Sequence, residues 1–322
     1  MICHSCLQEC SGDFCRACSK RLFGFTRFSA TLPFTMPELR AKCNRHYRIS
    51  ISGVQQKFSL RVNNAALELT DNGGTFILKP ATSALFDNTR EMPANEHVCM
   101  QIARQVFHIE TADCAFVKFQ DGTPAYITKR FDISVNGKIP QEDFAQVAGL
   151  TPGEKGSGYK YDYSYEEIAN LMERYVSTYS TDAEKFLKLI FFNYVICNGD
   201  AHVKNFSIYA PNNDGIYKLT PAYDLLNTSL HVQELGRTAL ELFKDDYETD
   251  FYKANAFYGK ADFLELARRI GIREIRAERI LTEICSKQKE AFELLERSYL
   301  SKRCQKKFKS LMKDRLKALQ IF

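Results

Sequence analysis

Asn198-Gly199-Asp200-Ala201-His202-Val203-Lys204-Asn205-Phe206-Ser207-Ile208, followed beyond a short polar interval by Leu219-Thr220-Pro221-Ala222-Tyr223-Asp224-Leu225, decides how this chain is read. Upstream, the stretch from Phe186 to Cys197 is apolar almost all round, interrupted by Lys188 and Asn193, and predicts a buried helix over about 183–197. Downstream, Phe206 to Tyr209 and Ile216 to Leu219 read as two short strands around the turn Pro211-Asn212-Asn213-Asp214-Gly215. Polar residues thus sit on a loop held between rigid elements, where chemistry is commonly placed. Asp200 can take a proton from an attacking hydroxyl. Asn205, five residues on, and Asp224, just past the second strand, suit a Mg²⁺ ion, which needs few protein oxygens when phosphates and water complete its shell. Lys204 offers a positive charge to a transferring phosphoryl group. Singly, each has a plainer reading: an Asp after a strand is usually a turn or cap residue, and His202 more often orders a loop than catalyses.

Residues 48 to about 133 read mainly as strands. Phe58-Ser59-Leu60-Arg61-Val62 alternates, Ala66 to Thr70 is its return, and Phe76-Ile77-Leu78-Lys79 follows the Asn72-Gly73-Gly74 turn. Val98, Ile102 and Val106 recur every four residues, which predicts a helix over 94–107. Cys114 to Phe119 and Ala125 to Ile133 are two further strands joined at Asp121-Gly122. Helices are expected at 141–148 and 164–179, a loop at 151–160, and a long helical pattern over 273–319. A β-rich half with one helix before a helical half predicts an α+β, bilobal protein-kinase-like fold with the active site between lobes. Within it, Lys79 is a candidate for binding nucleotide phosphates, with Glu96 as its partner, or else an edge-strand lysine. Ser50-Ile51-Ser52-Gly53-Val54-Gln55-Gln56-Lys57 is a candidate phosphate loop or an ordinary turn.

These stretches, with Ile127-Thr128-Lys129-Arg130-Phe131-Asp132 and Gln141 to Gln146, resemble the HipA family of bacterial serine/threonine kinases, the toxins of HipBA-type toxin–antitoxin modules. The resemblance runs from about Ser50 to the C-terminus. It implies that Asp200 is the catalytic base, that Asn205 and Asp224 hold Mg²⁺, that Lys79 binds ATP phosphates, and that Ser52, Gly53, Val54, Gln55 and Lys57 belong to the phosphate loop. It also implies autophosphorylation of a serine in that loop, with Ser50 aligning best and Ser52 second, followed by ejection of the loop. The implied substrate is a protein, by analogy an aminoacyl-tRNA synthetase; the implied partner is an antitoxin, with DNA reached only through it. Against the long members of that family, an N-terminal β subdomain of about a hundred residues is expected to be missing here, and a separate small protein resembling that subdomain is a candidate partner. A small-molecule kinase, or an inactive kinase-fold binding protein with a zinc module, are the alternatives.

Eleven cysteines stand in 322 residues, and five fall in the first 18. Cys3-His4-Ser5-Cys6 and Cys15-Arg16-Ala17-Cys18 are two CxxC knuckles that can aim four thiolates at one structural Zn²⁺, with Cys10 and His4 as competing ligands. A metal-free, reduced cysteine-rich segment is the plainer reading. Charge is nearly balanced, 44 Lys and Arg against 39 Asp and Glu, which excludes a dedicated nucleic-acid wrapper. No apolar run is long enough for a membrane span and no secretion signal is evident, so a cytoplasmic location is expected. The expected organisation is a zinc-ribbon-like module at 1–24, an N-lobe at 25–147 and a C-lobe at 148–322. A basic amphipathic helix is expected over Ser301 to Leu319.

Overall fold

The computed structural model describes residues 1–46, 56–81, 86–233 and 237–320. Its elements are α1 (Arg16–Phe23), α2 (Met36–His46), β1 (Phe58–Asn63), β2 (Ala66–Leu69), β3 (Phe76–Pro80), α3 (Met92–Gln105), β4 (Cys114–Lys118), β5 (Pro124–Lys129), β6 (Ile133–Ser134), β7 (Gly137–Lys138), β8 (Gln141–Asp143), α4 (Phe144–Val147), α5 (Tyr165–Tyr175), α6 (Tyr179–Val195), β9 (Ser207–Tyr209), β10 (Lys218–Leu219), α7 (Asp250–Asn255), α8 (Lys260–Arg269), α9 (Glu274–Ser286), α10 (Gln288–Glu296) and α11 (Lys302–Gln320). They fall into two units, each discontinuous in sequence. The first comprises Met1–Ile102, Ala112–Phe131 and Phe292–Gln305; the second comprises Ala103–Thr111, Asp132–Ala291 and Lys306–Phe322.

The first unit is built on an antiparallel sheet of order β2-β1-β3-β5-β4. The alternation read in β1 puts Phe58 and Leu60 in the core and Arg61 in solvent. Gly74 is required before β3, because a Cβ there would stand 1.8 Å from Ser59 Oγ. β3 lies between β1 and β5, so Lys79 is on an interior strand, opposite Tyr126, and the edge-lysine reading is excluded. The strand ends at Pro80, which has no N–H to continue the ladder.

The cysteine-rich segment does not stand apart from this sheet. Cys3, Phe14, Leu22, Phe23, Leu32 and Leu39 share one buried cluster with Leu60, Phe76, Leu78, Val117 and Ile127. The Phe23 ring stacks on Phe76 at 5.6 Å and on Phe28 at 3.8 Å. Burying side chains such as Leu22 and Phe23 contributes about 2 kcal/mol each. The exposed edge of β4 is also used: Phe116 N–H donates to the His4 carbonyl at 2.8 Å, and Lys118 N–H to the Ala30 carbonyl at 2.9 Å. The segment therefore closes a sheet edge that would otherwise present unpaired backbone groups. This differs from a partition into 1–24, 25–147 and 148–322, because apolar residues before position 24 have their partners in strands from 58 onward.

In the second unit β8, β9 and β10 form a small antiparallel sheet, with Asp143 opposite Ser207 and Ile208 opposite Leu219. The stretch 141–148 is thus part strand, part helix: Asp143 ends β8 and caps α4 through a reciprocal bond pair with Gln146. α6 is largely buried, as its all-round apolar pattern predicts, and it begins at Tyr179 rather than 183. Its buried Asp182 is satisfied by Thr178 Oγ1 at 2.8 Å, Lys185 Nζ at 2.8 Å and Leu219 N–H at 3.1 Å. The long pattern over 273–319 is three helices, α9 to α11. In α11 Phe308, Met312, Leu316 and Leu319 are buried while most of the basic residues face solvent. Among the described residues no helix is long and apolar enough to cross a membrane.

Candidate active site and cysteine cluster

The loop after α6 is fixed by hydrogen bonds within it and by partners from the segment 224–228. Cys197 adopts the left-handed conformation (φ 57°), which turns the chain out of the helix. Asn198 Nδ2 donates to Asn193 Oδ1 at 2.9 Å, and Asn198 Oδ1 accepts from Asp200 N–H at 3.2 Å. Thr228 Oγ1 accepts from Gly199 N–H at 2.7 Å and donates to the Cys197 carbonyl at 2.9 Å. Asn205 Nδ2 then donates to the Asp200 carbonyl at 2.7 Å. The two residues that the spacing picked out are thereby locked together, and among the described residues Asn205 Oδ1 has no hydrogen-bond partner. Asp224 sits at the far side of the hairpin with φ 55°, and its carbonyl accepts from Asn198 Nδ2 at 3.5 Å. Tyr223 ties the same region together, donating to the Lys204 carbonyl at 3.0 Å and bonding Ser207 Oγ.

The Asp200 carboxylate is half exposed, and three groups gather on its Oδ1. Tyr161 donates its hydroxyl to it, Lys160 Nζ lies at 3.5 Å, and His202 Nε2 at 3.7 Å. Burial pushes His202 down to about 4, against the opposing pull of Asp200, so the ring is neutral near pH 7. Lys204, expected beside the transferring phosphoryl group, binds Asp143 Oδ2 through its Nζ at 3.0 Å. Burial alone would lower its pKa, but the bond and charge of Asp143 outweigh this and raise it. Tyr161 and Lys160 escaped the sequence reading because their contacts with Asp200 span 39 and 40 residues and carry no periodic signal. They belong to a 3-10 segment, Gly153–Tyr161, kinked at Gly156, where a plain loop was expected.

In the first unit Lys79 Nζ binds Glu96 Oε1 at 2.6 Å, and both side chains are nearly inaccessible, at 4% and 5% exposure. Each charge of so deep a pair offsets part of the desolvation cost of the other. Lys79 Nζ also lies 5.5 Å from the centre of the Tyr126 ring. Lys57 is half-buried immediately before β1. Ser50, Ser52, Gly53, Val54 and Gln55 lie outside the described residues.

The Sγ atoms of Cys3, Cys6, Cys15 and Cys18 all lie within 4.8 Å of one another, with Cys6 and Cys15 at 3.9 Å. Four sulfurs about 2.3 Å from a tetrahedral zinc are about 3.8 Å apart, so the donor set fits that ion in number, type and spacing. Backbone N–H groups of Cys15 and Cys18 donate to Cys3 Sγ at 3.3 Å and Cys15 Sγ at 3.4 Å. The competing ligands are engaged elsewhere: Cys10 Sγ donates to the Gly12 carbonyl at 2.9 Å, and His4 Nδ1 to the Phe116 carbonyl at 2.9 Å.

The sequence model of the HipA-like C-terminal domain matches residues 49–292. The chain belongs to the HipA-like family. Its Haemophilus influenzae relative, named "Putative kinase", is 25% identical over 288 residues, covering 85% of this chain and 82% of the relative. The Sinorhizobium fredii proteins "Putative kinase Y4dM" and "Putative kinase Y4mE" are 31% and 32% identical, over 60% and 69% of this chain. The chain spans about half the length of these two, 48% and 51%. Among solved structures, HipA of Shewanella oneidensis, in its complex with HipB and operator DNA, aligns with a TM-score of 0.66 at 18% identity over 90% of this chain and 72% of that one. The Helicobacter pylori proinflammatory kinase CtkA aligns with a TM-score of 0.51 at 12% identity over 84% of this chain and 93% of that one. At these identities the likeness is one of fold. The family match begins at residue 49, so the four-cysteine cluster lies outside it.

Proposed function

We propose that this HipA-like chain is a kinase, and specifically an ATP- and Mg²⁺-dependent serine/threonine protein kinase. The observation that carries the reading is the lock between Asn205 Nδ2 and the Asp200 carbonyl at 2.7 Å. It ties the Asn205 side chain to the backbone of Asp200, and these two residues stand at the Asp-x-x-x-x-Asn sequence spacing of kinase catalytic loops. Asp200 accepts the proton of the incoming hydroxyl. Asn205 Oδ1 and the Asp224 carboxylate are the oxygens that would hold Mg²⁺, whose chemistry when bound is to neutralise phosphate charge. Lys79, steadied by Glu96, binds the nucleotide phosphates, and residues 50–57 are the candidate phosphate loop. Neutral His202 adds no positive charge of its own beside Asp200.

Cys3, Cys6, Cys15 and Cys18 hold a structural Zn²⁺ in this reading, closing the site with four thiolates. Autophosphorylation falls on Ser50 or Ser52: a phosphate dianion there repels ATP and drives the loop out. Because HipA of Shewanella oneidensis is found with HipB and operator DNA, an antitoxin protein is the partner proposed, with DNA reached through it. A translation component such as an aminoacyl-tRNA synthetase is the proposed substrate, and the cytoplasm the proposed location.

The test is incubation with radiolabelled ATP and Mg²⁺. The wild type is expected to label itself on Ser50 or Ser52, and Asp200→Asn is expected to lose that label. Labelling that persists in Asp200→Asn removes Asp200 from the reaction.

A further inference from the structure

Asp200 is served by residues from outside its own loop. Tyr161 Oη donates to Oδ1, and Lys160 Nζ stands 3.5 Å from the same oxygen. The two outside groups also support each other, since Lys160 Nζ lies 5.0 Å from the centre of the Tyr161 ring. The ring is held against His202, edge to face at 5.3 Å. Among the described residues nothing donates to Asp200 Oδ2. One carboxylate oxygen is therefore occupied and the other left open. The lysine that follows Asp200 in its own loop, Lys204, is committed to Asp143.

We propose that Tyr161 is a positioning residue that fixes the Asp200 carboxylate by Oδ1 and leaves Oδ2 as the single acceptor for the substrate hydroxyl, while Lys160 supplies the positive charge that Lys204 does not bring to this carboxylate. The proposal rests on the kinase reading above. In the step, the acceptor O–H bond breaks and its proton passes to Oδ2. The acceptor oxygen bonds the γ-phosphorus of ATP, the bond from that phosphorus to the bridging oxygen breaks, and ADP leaves with the bonding pair. A carboxylate free to rotate would present either oxygen at varied angles, and productive geometry tolerates little such variation. Lys160, close to the same carboxylate, offsets negative charge as phosphate approaches it.

The experiment uses the full chain. Single-turnover transfer from radiolabelled ATP, both to the chain itself and to water as released phosphate, is compared for wild type and Tyr161→Phe, with Mg²⁺-ATP affinity measured by calorimetry. Loss of a hydrogen bond to a charged group predicts a rate lower by about tenfold, with ATP affinity and melting temperature unchanged. Lys160→Met is expected to slow transfer and Lys160→Arg to restore most of it. A Tyr161→Phe protein that transfers at the wild-type rate overturns the proposal. So does one that transfers faster, which would make the tyrosine a blocking group, or one that loses ATP affinity and stability together with rate, which would make it structural. A wild type as inert as Asp200→Asn overturns the kinase reading itself, and the proposal falls with it.

Discussion

Glu96 and His97 are consecutive on α3 and hold different parts of the first unit: Glu96 Oε1 accepts from Lys79 Nζ at 2.6 Å, while His97 Nε2 donates to the Ser5 carbonyl at 2.8 Å. The helix that carries the partner of the candidate nucleotide lysine is thus bonded to the first cysteine knuckle. Ser5 reinforces the contact from the other side, donating through Oγ to the Cys114 carbonyl of β4 at 2.9 Å.

The Lys79–Glu96 pair sets the first expectation. Glu96→Ala takes the carboxylate away from a buried ammonium and is expected to cost about 3 kcal/mol in chemical denaturation. Adding Lys79→Met to it is expected to recover most of that stability without recovering phosphoryl transfer. Equal stability of Glu96→Ala and wild type would contradict the buried pair.

The cysteine cluster sets the second. Metal analysis is expected to find about one zinc per chain, and Cys3→Ser combined with Cys6→Ser is expected to remove it. Because Cys3 lies in the sheet's own core, amide exchange in β4 and β5 should quicken in that variant. Cys10→Ser is expected to keep its zinc. A metal-free wild type with the same exchange rates would refute the site.

Lys204 provides the third. Its bond to Asp143, which both ends β8 and caps α4, gives it a structural place. Lys204→Met is expected to cost about 1 kcal/mol and to leave Mg²⁺-ATP affinity in place, whereas a collapse of that affinity would restore the lysine to the phosphates.

His202 gives the fourth, through pH. The unfolded chain protonates this ring near pH 6.5, but the folded chain only near 4. Its contribution is therefore fully present above about pH 6.5 and is lost as pH falls toward 4. Asp200 and Asp224 favour the proton and Lys160 opposes it, yet burial dominates. Urea unfolding in magnesium-free buffer should show a drop between pH 7.5 and 5 that is about 2 kcal/mol smaller in His202→Gln. Parallel pH profiles would refute a buried neutral ring.

What could be read from the sequence was local. The period-two pattern of β1 to β3 follows from alternate residues meeting opposite sides of a sheet. The apolar circumference of α6 follows from burial on every side. Four cysteines in two knuckles could be read as one cluster because each CxxC brings two thiolates together at short range, and the four sulfurs do converge. The loop from Asn198 to Asn205 was legible in part for the same reason: the bonds among Asn193, Asn198, Asp200 and Asn205 close over a few residues, whereas those to Thr228 and Asp224 do not.

The remainder depends on contacts between residues far apart in the chain, and no spacing rule encodes those. Tertiary structure decided that Lys79 lies on an interior strand, because β5 arrives beside it. It turned Lys204 to Asp143, because β8 pairs with β9. It brought Tyr161 and Lys160 to Asp200 across 39 and 40 residues. It also made the cysteine segment part of the first unit rather than an appendage, because Leu22 and Phe23 lose more water against Phe76 and its neighbours than a segment that short could lose by folding on itself.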